Sequence, residues 1–318
     1  MKNSELHFSA HDDGELCFSV VVCTYNRAAY LSRTLESIAK QTYPAGNFEI
    51  LIVDNNSPDH TADICQLFIN QHLLLSIRYI KELRQGISHA RNRGVREAKG
   101  TFITFLDDDE TVESCFLQNL DTFFQHYPEA ELCSEPVVPV LETPAPAWMS
   151  PFTMRLITGA YYKGKEIKIV GTKDYPGTGH ATFRTELFHR YGGFNTGLGR
   201  KGASLLGAED KDFFLRLIQN GVKCYYLPFA IIYHHIPAYK LTKDFFNRIT
   251  CAIGKSERIR TLSISKSAYC KKIGSEIIKG GGSVVLCFYY MLRGQGAKGW
   301  KLLMFRYNVM RGLLEKHS

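Results

Sequence analysis

Three adjacent aspartates, Asp107, Asp108 and Asp109, are the residues of this sequence whose spacing most directly indicates chemistry. They follow residues 101–106, an apolar run typical of a strand buried on both faces of a mainly parallel sheet. Carboxylates this close repel one another by roughly 4 kcal/mol per pair at ~4 Å and an effective dielectric constant of ~20. A cation usually offsets that repulsion, and an all-oxygen cluster suits Mg²⁺ or Mn²⁺ better than Zn²⁺. The alternative is a solvated acidic turn.

A second acid, Asp54, ends the apolar run at 48–53. Open α/β sheets bind ligands beyond the carboxyl ends of their strands, so Asp54 and the three aspartates should meet at one sheet edge. A nucleotide at that edge would place one acid near its base or ribose and the other acids at a diphosphate-bound metal. Asp54 could instead only cap its own turn. No G-x-G-x-x-G follows the first strand and no P-loop pattern is present, which argues against dinucleotide enzymes and P-loop phosphotransferases.

Strand and helix patterns alternate through the first 110 residues. The strand patterns are at Phe18–Thr24, 48–53, 76–80 and 101–106. The helix patterns begin after Arg27, at Ser57 with Pro58 in the first helical position, and at Ile87. This alternation predicts an α/β fold with a Rossmann-like, doubly wound, mainly parallel sheet.

The rest of the chain predicts a less regular arrangement. Its expected parts are a helix at 116–124, a proline-rich loop at 136–151, a strand at 166–170, a turn at 175–180, helices at 185–190 and from 207–210, and strands at 222–227 and 230–234. We expect a polar extension at 1–16, one domain at 17–237 and a basic, mainly helical region at 238–318. Helices are predicted there at 244–260, 273–279, 284–292 and 297–316.

Five blocks of this sequence resemble family-2 glycosyltransferases in their order and spacing. They are residues 21–27, 41–44, 49–57, 85–94, and 100 with 105–109, and the glycine-containing segments 192–194 and 207–210 extend the resemblance to about residue 235. The resemblance implies a GT-A fold. It also implies transfer of a sugar from a nucleotide-sugar with inversion at the anomeric carbon, and a Mn²⁺ or Mg²⁺ cofactor.

The resemblance implies a role for each matching residue. The residues implied to bind the nucleotide-sugar are Thr24, Tyr25, Arg27, Asp54, Arg91, Asp107 and Asp108. Those implied to ligate the metal are Asp109 and Asp107, with His234 or His235 as an additional ligand. Asp210 matches the general base, which takes the proton of an acceptor hydroxyl as that oxygen attacks C1. Gly179, His180 and Glu209 would border the donor sugar or the acceptor.

Plainer explanations exist for several of these residues. Glu209 and Asp210 fall in the first turn of a helix, where acids interact favourably with the helix dipole. Arg91 could be a solvent-facing helical arginine, and paired histidines at a strand end could be hydrogen-bonded loop residues. His180 stands where many relatives carry Asn, so the resemblance does not identify the sugar.

Charge is distributed unevenly along the 318 residues. The whole chain carries +8, and residues 241–318 hold 15 Lys/Arg against 4 Asp/Glu, or +11, which leaves −3 for residues 1–240. Nine scattered cysteines favour reduced thiols, and the polar N-terminus lacks a signal-peptide pattern. These features predict a cytoplasmic protein.

The basic tail contains a helix pattern at 297–316 with Trp300, Leu303, Met304, Tyr307 and Leu314 along one stripe. Such a helix either packs against its own domain or lies on an anionic membrane surface. A nucleic-acid partner is not expected, because no base-stacking or groove-reading motif accompanies the charge. The overall hypothesis is an inverting, metal-dependent glycosyltransferase, peripheral to the cytoplasmic membrane, that transfers from a UDP-sugar to a glycan or lipid-linked acceptor. A nucleotidyltransferase and a non-catalytic nucleotide-sugar-binding partner are the alternatives.

Overall fold

The computed structural model describes residues 17–172 and 174–315. Short 3₁₀ turns aside, its elements are, in chain order, β1 Phe18–Thr24, α1 Ala28–Ala39, β2 Phe48–Asp54, α2 Thr61–Gln71, β3 Ser76–Lys81, α3 Ile87–Glu97, β4 Phe102–Asp107, β5 Glu110–Val112, α4 Phe116–His126, β6 Leu132–Ser134, β7 Val137–Leu141, α5 Pro151–Thr158, β8 Lys168–Val170, β9 Ala181–Arg184, α6 Glu186–Tyr191, α7 Glu209–Gln219, β10 Cys224–Tyr226, β11 Ile232–Ile236, α8 Lys243–Ile264, α9 Lys266–Leu292 and α10 Gly296–Leu314. The predicted 1–16 extension lies outside the described residues.

The main sheet has the strand order β3-β2-β1-β4-β9-β6-β10-β8. Strands β3, β2, β1 and β4 are parallel, whereas β9 runs antiparallel to both of its neighbours. Thr24 pairs with Asp54, and Cys23 pairs with Asp107, so the strand ends that carry the acids share one edge. The predicted α/β, mainly parallel sheet is therefore confirmed. Its β1 and β2 strands are buried along their whole length, as uninterrupted apolar runs indicate.

The start of α2 differs from the prediction. The helix begins at Thr61, not at Ser57 with Pro58, because local hydrogen bonds keep the preceding segment out of the helix. The Ser57 hydroxyl accepts the backbone N–H of Asn26, and the carboxylate of Asp59 accepts both the N–H and the hydroxyl of Thr61. A side chain that satisfies a neighbouring backbone group in this way competes with helix formation.

A second, three-stranded sheet has the order β5-β11-β7. Strand β7 and the start of α5 lie inside the segment 136–151, which the sequence predicted to be an irregular loop. Pro139 lies in the middle of β7 and lowers its strand signal, and proline is tolerated there because β7 is an edge strand. The pairing of β5 with β11 brings the segment after the aspartates beside the segment that carries the two histidines.

The C-terminal region consists of three packed helices. Residues 273–292 form part of one continuous helix, α9, instead of two short helices separated by glycines. Helix α10 buries Leu302, Phe305, Val309 and Leu313. It approaches α8 so closely that a Cβ on Gly312 would lie 2.1 Å from the backbone oxygen of Cys251. The predicted Trp300–Leu314 stripe is therefore not the packed face, and Trp300, Tyr307 and Leu314 are exposed.

Candidate functional site

A cavity of about 710 Å³ opens at the carboxyl edge of the parallel strands. Its walls come from β1, β4, α3, α7, β11 and α8. The predicted site residues that line it are Thr24, Tyr25, Arg27, Arg91, Asp107, Asp108, Asp109, Glu209, Asp210 and His234. Residues that are far apart in the sequence thus surround a single space.

Each of the three aspartates has its own set of partners. The Asp107 carboxylate lies 3.4 Å from Arg91, and Asp108 accepts a 2.8 Å hydrogen bond from the Thr24 hydroxyl. Asp108 also lies 3.4 Å from Nε of Arg27. Oδ2 of Asp109 receives Nη2 of Arg27 at 2.6 Å and Nζ of Lys240 at 2.8 Å. The repulsion expected from the sequence is therefore offset by side chains of the protein itself.

The pKa values of Asp108 and Asp109 move in opposite directions. Burial raises the pKa of Asp108 to about 6, and the nearby Arg27 only partly opposes this shift. Burial also acts on Asp109, but His234, Lys240 and Arg27 together hold its pKa well below its usual range. Asp109 therefore stays ionised to a lower pH than Asp108 does.

Strand β11 separates the two histidines onto opposite faces. Side chains alternate along a strand, and the pairing of His234 with Glu110 aims His234 at the neighbouring Asp109. Nε2 of His234 lies 3.3 Å from Oδ1 of Asp109. His235 points away from the cavity, where its ring contacts Arg33 at 2.9 Å and Thr111 at 3.0 Å.

The environment of His234 fits a metal ligand. Its Nδ1 lies 2.7 Å from the carbonyl oxygen of Thr158, which can only accept, so in the neutral ring Nδ1 carries the proton. A protonated Nε2 donates to the carboxylate oxygen of Asp109 and helps to hold the pKa of that acid down, whereas without that proton Nε2 directs a lone pair toward the same oxygen. Two facing acceptors suit a cation between them. Within residues 17–172 and 174–315 no group of three or more His, Cys, Asp or Glu is arranged to hold a metal, so these two residues would supply only part of a coordination shell.

Asp210 presents a carboxylate to the cavity from the first turn of α7. Its Oδ1 accepts from Nη1 of Arg91 at 2.7 Å and from the hydroxyl of Thr178. Glu209 is more deeply buried, with Oε1 3.1 Å from Arg91 and Oε2 without a partner. Burial and the adjacent charge of Asp210 raise the pKa of Glu209 to about 7. Asp210 is therefore the better placed of the two acids to accept a proton from a bound molecule.

Four predicted residues do not line the cavity: Asp54, Gly179, His180 and His235. Both carboxylate oxygens of Asp54 are engaged, one by the N–H of Ser57 at 2.8 Å and the other by the Tyr79 hydroxyl at 2.6 Å. Asp54 thus caps its own turn, and the next residue, Asn55, lines the cavity instead. His180 turns inward, where its Nε2 accepts the N–H of Gly177 at 2.7 Å. His235 contacts Arg33 and Thr111 instead, and Gly179 is the fourth.

The backbone of Gly179 packs against the carboxylate of Asp107. A Cβ on this residue would lie 2.6 Å from Cγ of Asp107, so only glycine lets the backbone pack directly against that carboxylate. The neighbouring Thr178, whose hydroxyl binds Asp210, was not among the predicted site residues, although it belongs to the predicted turn at 175–180. Lys240 was also missed, because it lies 131 positions from Asp109 and no local pattern links the two.

The sequence of the chain matches a known family over more than half its length. Residues 19–192 match the pattern of Glycosyl transferase family 2. The chain belongs to this family. Its mainly parallel sheet with a C-terminal helical region is the GT-A glycosyltransferase fold, which its structural neighbours share.

Curated family-2 relatives differ in how much of this chain they match. Glucosyl-dolichyl phosphate glucuronosyltransferase of Haloferax volcanii is 26% identical over 269 residues, which cover 80% of this chain and 82% of the relative. The minor teichoic acid biosynthesis protein GgaB of Bacillus subtilis is 35% identical over 121 residues, or 38% of this chain. The matched part is only 13% of the length of GgaB.

Solved structures with the same fold include two that carry a nucleotide-sugar. The S. aureus TarS 1–349 complex with UDP-GlcNAc has a TM-score of 0.57 and 18% identity, covering 92% of this chain and 91% of that one. The mannosyltransferase PcManGT from Pyrobaculum calidifontis, with GDP-Man and Mn²⁺, has a TM-score of 0.59 and 17% identity, covering 93% and 87%. These similarities show the fold.

Proposed function

We propose that this family-2 protein is an inverting, metal-dependent glycosyltransferase that uses a UDP-sugar. The acceptor would be a glycan or a lipid-linked saccharide in the synthesis of a surface polysaccharide or glycoconjugate. The observation that carries the proposal is that one cavity contains both Asp109 and His234, which face each other across 3.3 Å, and the partly exposed carboxylate of Asp210. Relatives named for teichoic acid synthesis and for a dolichyl phosphate acceptor support this class of substrate.

The side chains of the cavity divide the proposed chemistry between them. Asp210 takes the proton of the acceptor hydroxyl as its oxygen attacks C1, and Arg91 holds Asp210 in place. Direct displacement of the diphosphate inverts the anomeric carbon. Arg27 and Lys240 provide positive charge where the diphosphate would lie. Mn²⁺ or Mg²⁺, held by Asp109 and His234 with Asp107 nearby, would supply further positive charge at the leaving group.

A cytoplasmic location at the inner face of the membrane is part of the proposal. A lipid-linked acceptor is presented at that surface, and the region after residue 240 carries the net charge of +11 that anionic lipids attract. Among the described residues, no helix combines the length and apolarity needed to cross a bilayer.

A nucleotide-sugar panel tests the enzymatic proposal. Binding of UDP-sugars with Mn²⁺ should raise the melting temperature by mass action, and turnover should release UDP. Asp210→Asn should keep donor binding but lose about 10²–10⁴-fold in transfer, the usual span for a lost general base. Asp212→Asn is the matched control, because Asp212 lies in the same first turn but does not line the cavity. Release of pyrophosphate would indicate a nucleotidyltransferase, and binding without turnover would indicate a non-catalytic partner.

A further inference from the structure

The second half of α9 is apolar but almost unpacked. Nine large apolar side chains between residues 277 and 292 are 44–89% exposed: Ile277, Ile278, Val284, Val285, Leu286, Phe288, Tyr289, Met291 and Leu292. Only Ser283 and Cys287 are buried in this stretch. Contiguous exposed apolar surface of this size marks an interaction site on a water-soluble domain.

Four of these positions define what we call the outer face of α9: Ile278, Val285, Phe288 and Leu292. Their spacing of seven, three and four residues places them on one side of the helix, opposite the buried Ser283 and Cys287. The exposed fractions are 78%, 69%, 62% and 89% in that order. The outer face therefore points away from α8 and α10.

The charges around the outer face have a single sign. Residues 266–314 contain nine Lys/Arg and one acid, Glu276. Glu276 is buried and bound by Lys272 at 2.9 Å, Lys279 at 2.9 Å and Arg306 at 3.1 Å. No acid in these two helices therefore offsets the exposed cations that flank the apolar stretch, including Lys266, Lys271 and Arg293.

We propose that the outer face of α9 docks on an anionic lipid bilayer, with the helix lying in the plane of the interface. An apolar face flanked by basic residues is the pattern of helices that insert shallowly among lipid headgroups. The apolar stretch of 16 residues is about 24 Å long at 1.5 Å per residue, shorter than a bilayer core of about 30 Å. A second copy of the chain would bring like charges together and is disfavoured. This inference rests on the membrane location included in the proposed function, and on no step of sugar transfer.

Membrane contact is thus placed on α9, whereas the sequence predicted it for residues 297–318. Removing α10 would expose its buried partners on α8 and confuse unfolding with loss of binding, so the test uses surface substitutions. The variant Ile278→Glu/Val285→Glu/Phe288→Glu changes only exposed positions of the outer face. The control Leu73→Glu/Leu74→Glu changes two side chains that are 81% and 94% exposed in the connection between α2 and β3.

Co-sedimentation of the full chain with phosphatidylcholine vesicles, with and without phosphatidylglycerol, measures the docking. We expect the wild type and the Leu73/Leu74 control to bind the anionic vesicles at low salt, and 0.5 M NaCl to weaken binding several-fold because salt screens exposed charges. The outer-face variant should lose at least tenfold in partition while keeping its melting temperature and its affinity for UDP. These last two readouts separate loss of docking from loss of the fold or of the donor site.

Two kinds of result would overturn the proposal, one in vesicle binding and one in oligomeric state. One is a wild type that ignores anionic vesicles at low salt, or an outer-face variant that binds them equally well. The other is a wild type that is dimeric by light scattering and a variant that is monomeric, with neither bound to vesicles, since the outer face would then join two copies. The Asp210→Asn test measures sugar transfer and not vesicle binding, so either proposal can be refuted without the other.

Discussion

The guanidinium of Arg91 donates to the carboxylate of Asp210 across 2.7 Å and joins residues 119 positions apart. The same side chain lies 3.1 Å from Glu209 and 3.4 Å from Asp107. Arg91 is buried, so it is not the solvent-facing helical arginine that the sequence also allowed. It connects α3, β4 and α7 at the point where the proposed base meets the proposed donor site.

Removal of the Arg91 charge should destabilise the protein as well as disable it. Arg91→Met leaves Glu209 without its buried partner, and such losses typically cost about 3–5 kcal/mol of unfolding free energy. Arg93→Met is the matched control on the same helix, because the partly exposed pair of Arg93 with Glu97 contributes only about 0.3–0.5 kcal/mol. Urea unfolding measures both variants. An equal loss of unfolding free energy in both variants would show that the ion pairs of Arg91 do not stabilise the protein.

The two histidines of β11 should differ in their effect on metal-dependent binding. His234→Gln should reduce the gain in UDP affinity that Mn²⁺ produces, and Asp109→Asn should abolish it, because these two side chains face each other across 3.3 Å. His235→Gln should bind UDP as the wild type does, since its ring contacts Arg33 and Thr111 instead. Calorimetric titration with and without Mn²⁺ provides the measurement. A Mn²⁺ effect of wild-type size in Asp109→Asn would refute the ligand assignment.

Glu135 should make stability depend on pH. Burial raises its pKa from 4.5 to about 8, and its Oε1 accepts hydrogen bonds from Thr182 at 2.8 Å and Cys133 at 3.4 Å. The folded state therefore binds a proton that the unfolded state releases above about pH 4.5. The stability that this proton provides is present below pH 4.5 and is lost as the pH rises through 8.

Glu135→Gln removes that titration while keeping the shape of the side chain. Its melting temperature should rise relative to wild type between pH 5 and pH 8.5. Glu129→Gln removes a charge from an exposed position and should show a constant difference from wild type over the same range. A constant difference for Glu135→Gln as well would mean that the buried carboxyl does not titrate in this window.

Two glycines in the C-terminal helices should respond oppositely to alanine. A Cβ on Gly312 would meet the backbone of Cys251 at 2.1 Å, so Gly312→Ala should force α8 and α10 apart at a cost of about 1–3 kcal/mol. Nothing lies within 4 Å of a Cβ on Gly281, and Gly281→Ala should stabilise α9 by up to ~1 kcal/mol. Chemical denaturation compares them, and a neutral Gly312→Ala would contradict the close packing.

The sequence predicted what depends on local patterns. Uninterrupted apolar runs located β1, β2 and β4, and most of the site residues predicted from the sequence do line the cavity. The prediction was wrong where the structure of an element depends on contacts with residues distant in the sequence. Pro139 lowered the strand signal of β7, so this edge strand was not predicted. The glycines at 280–282 led to a predicted break, but α9 is continuous through them.

The candidate site also combines residues that the sequence predicted with residues that it did not. The acids were predictable because three adjacent aspartates at a strand end are unusual, but their counter-charges were not, since Lys240 lies 131 positions from Asp109 and beyond the predicted domain at 17–237. The choice between His234 and His235 depends on which residue faces Asp109 when β11 pairs with β5. A pattern within one strand does not contain that information.

The bond between Asp109 and Lys240 has a consequence for how the protein is made. At about 5–20 residues per second, the ribosome adds the 131 residues between them in about 7–26 s. During that interval the nascent chain carries Asp109 without its lysine and with β11 still missing from the small sheet. The candidate site therefore forms late in synthesis, and chains that stop before residue 240 should be substrates for chaperones and proteases.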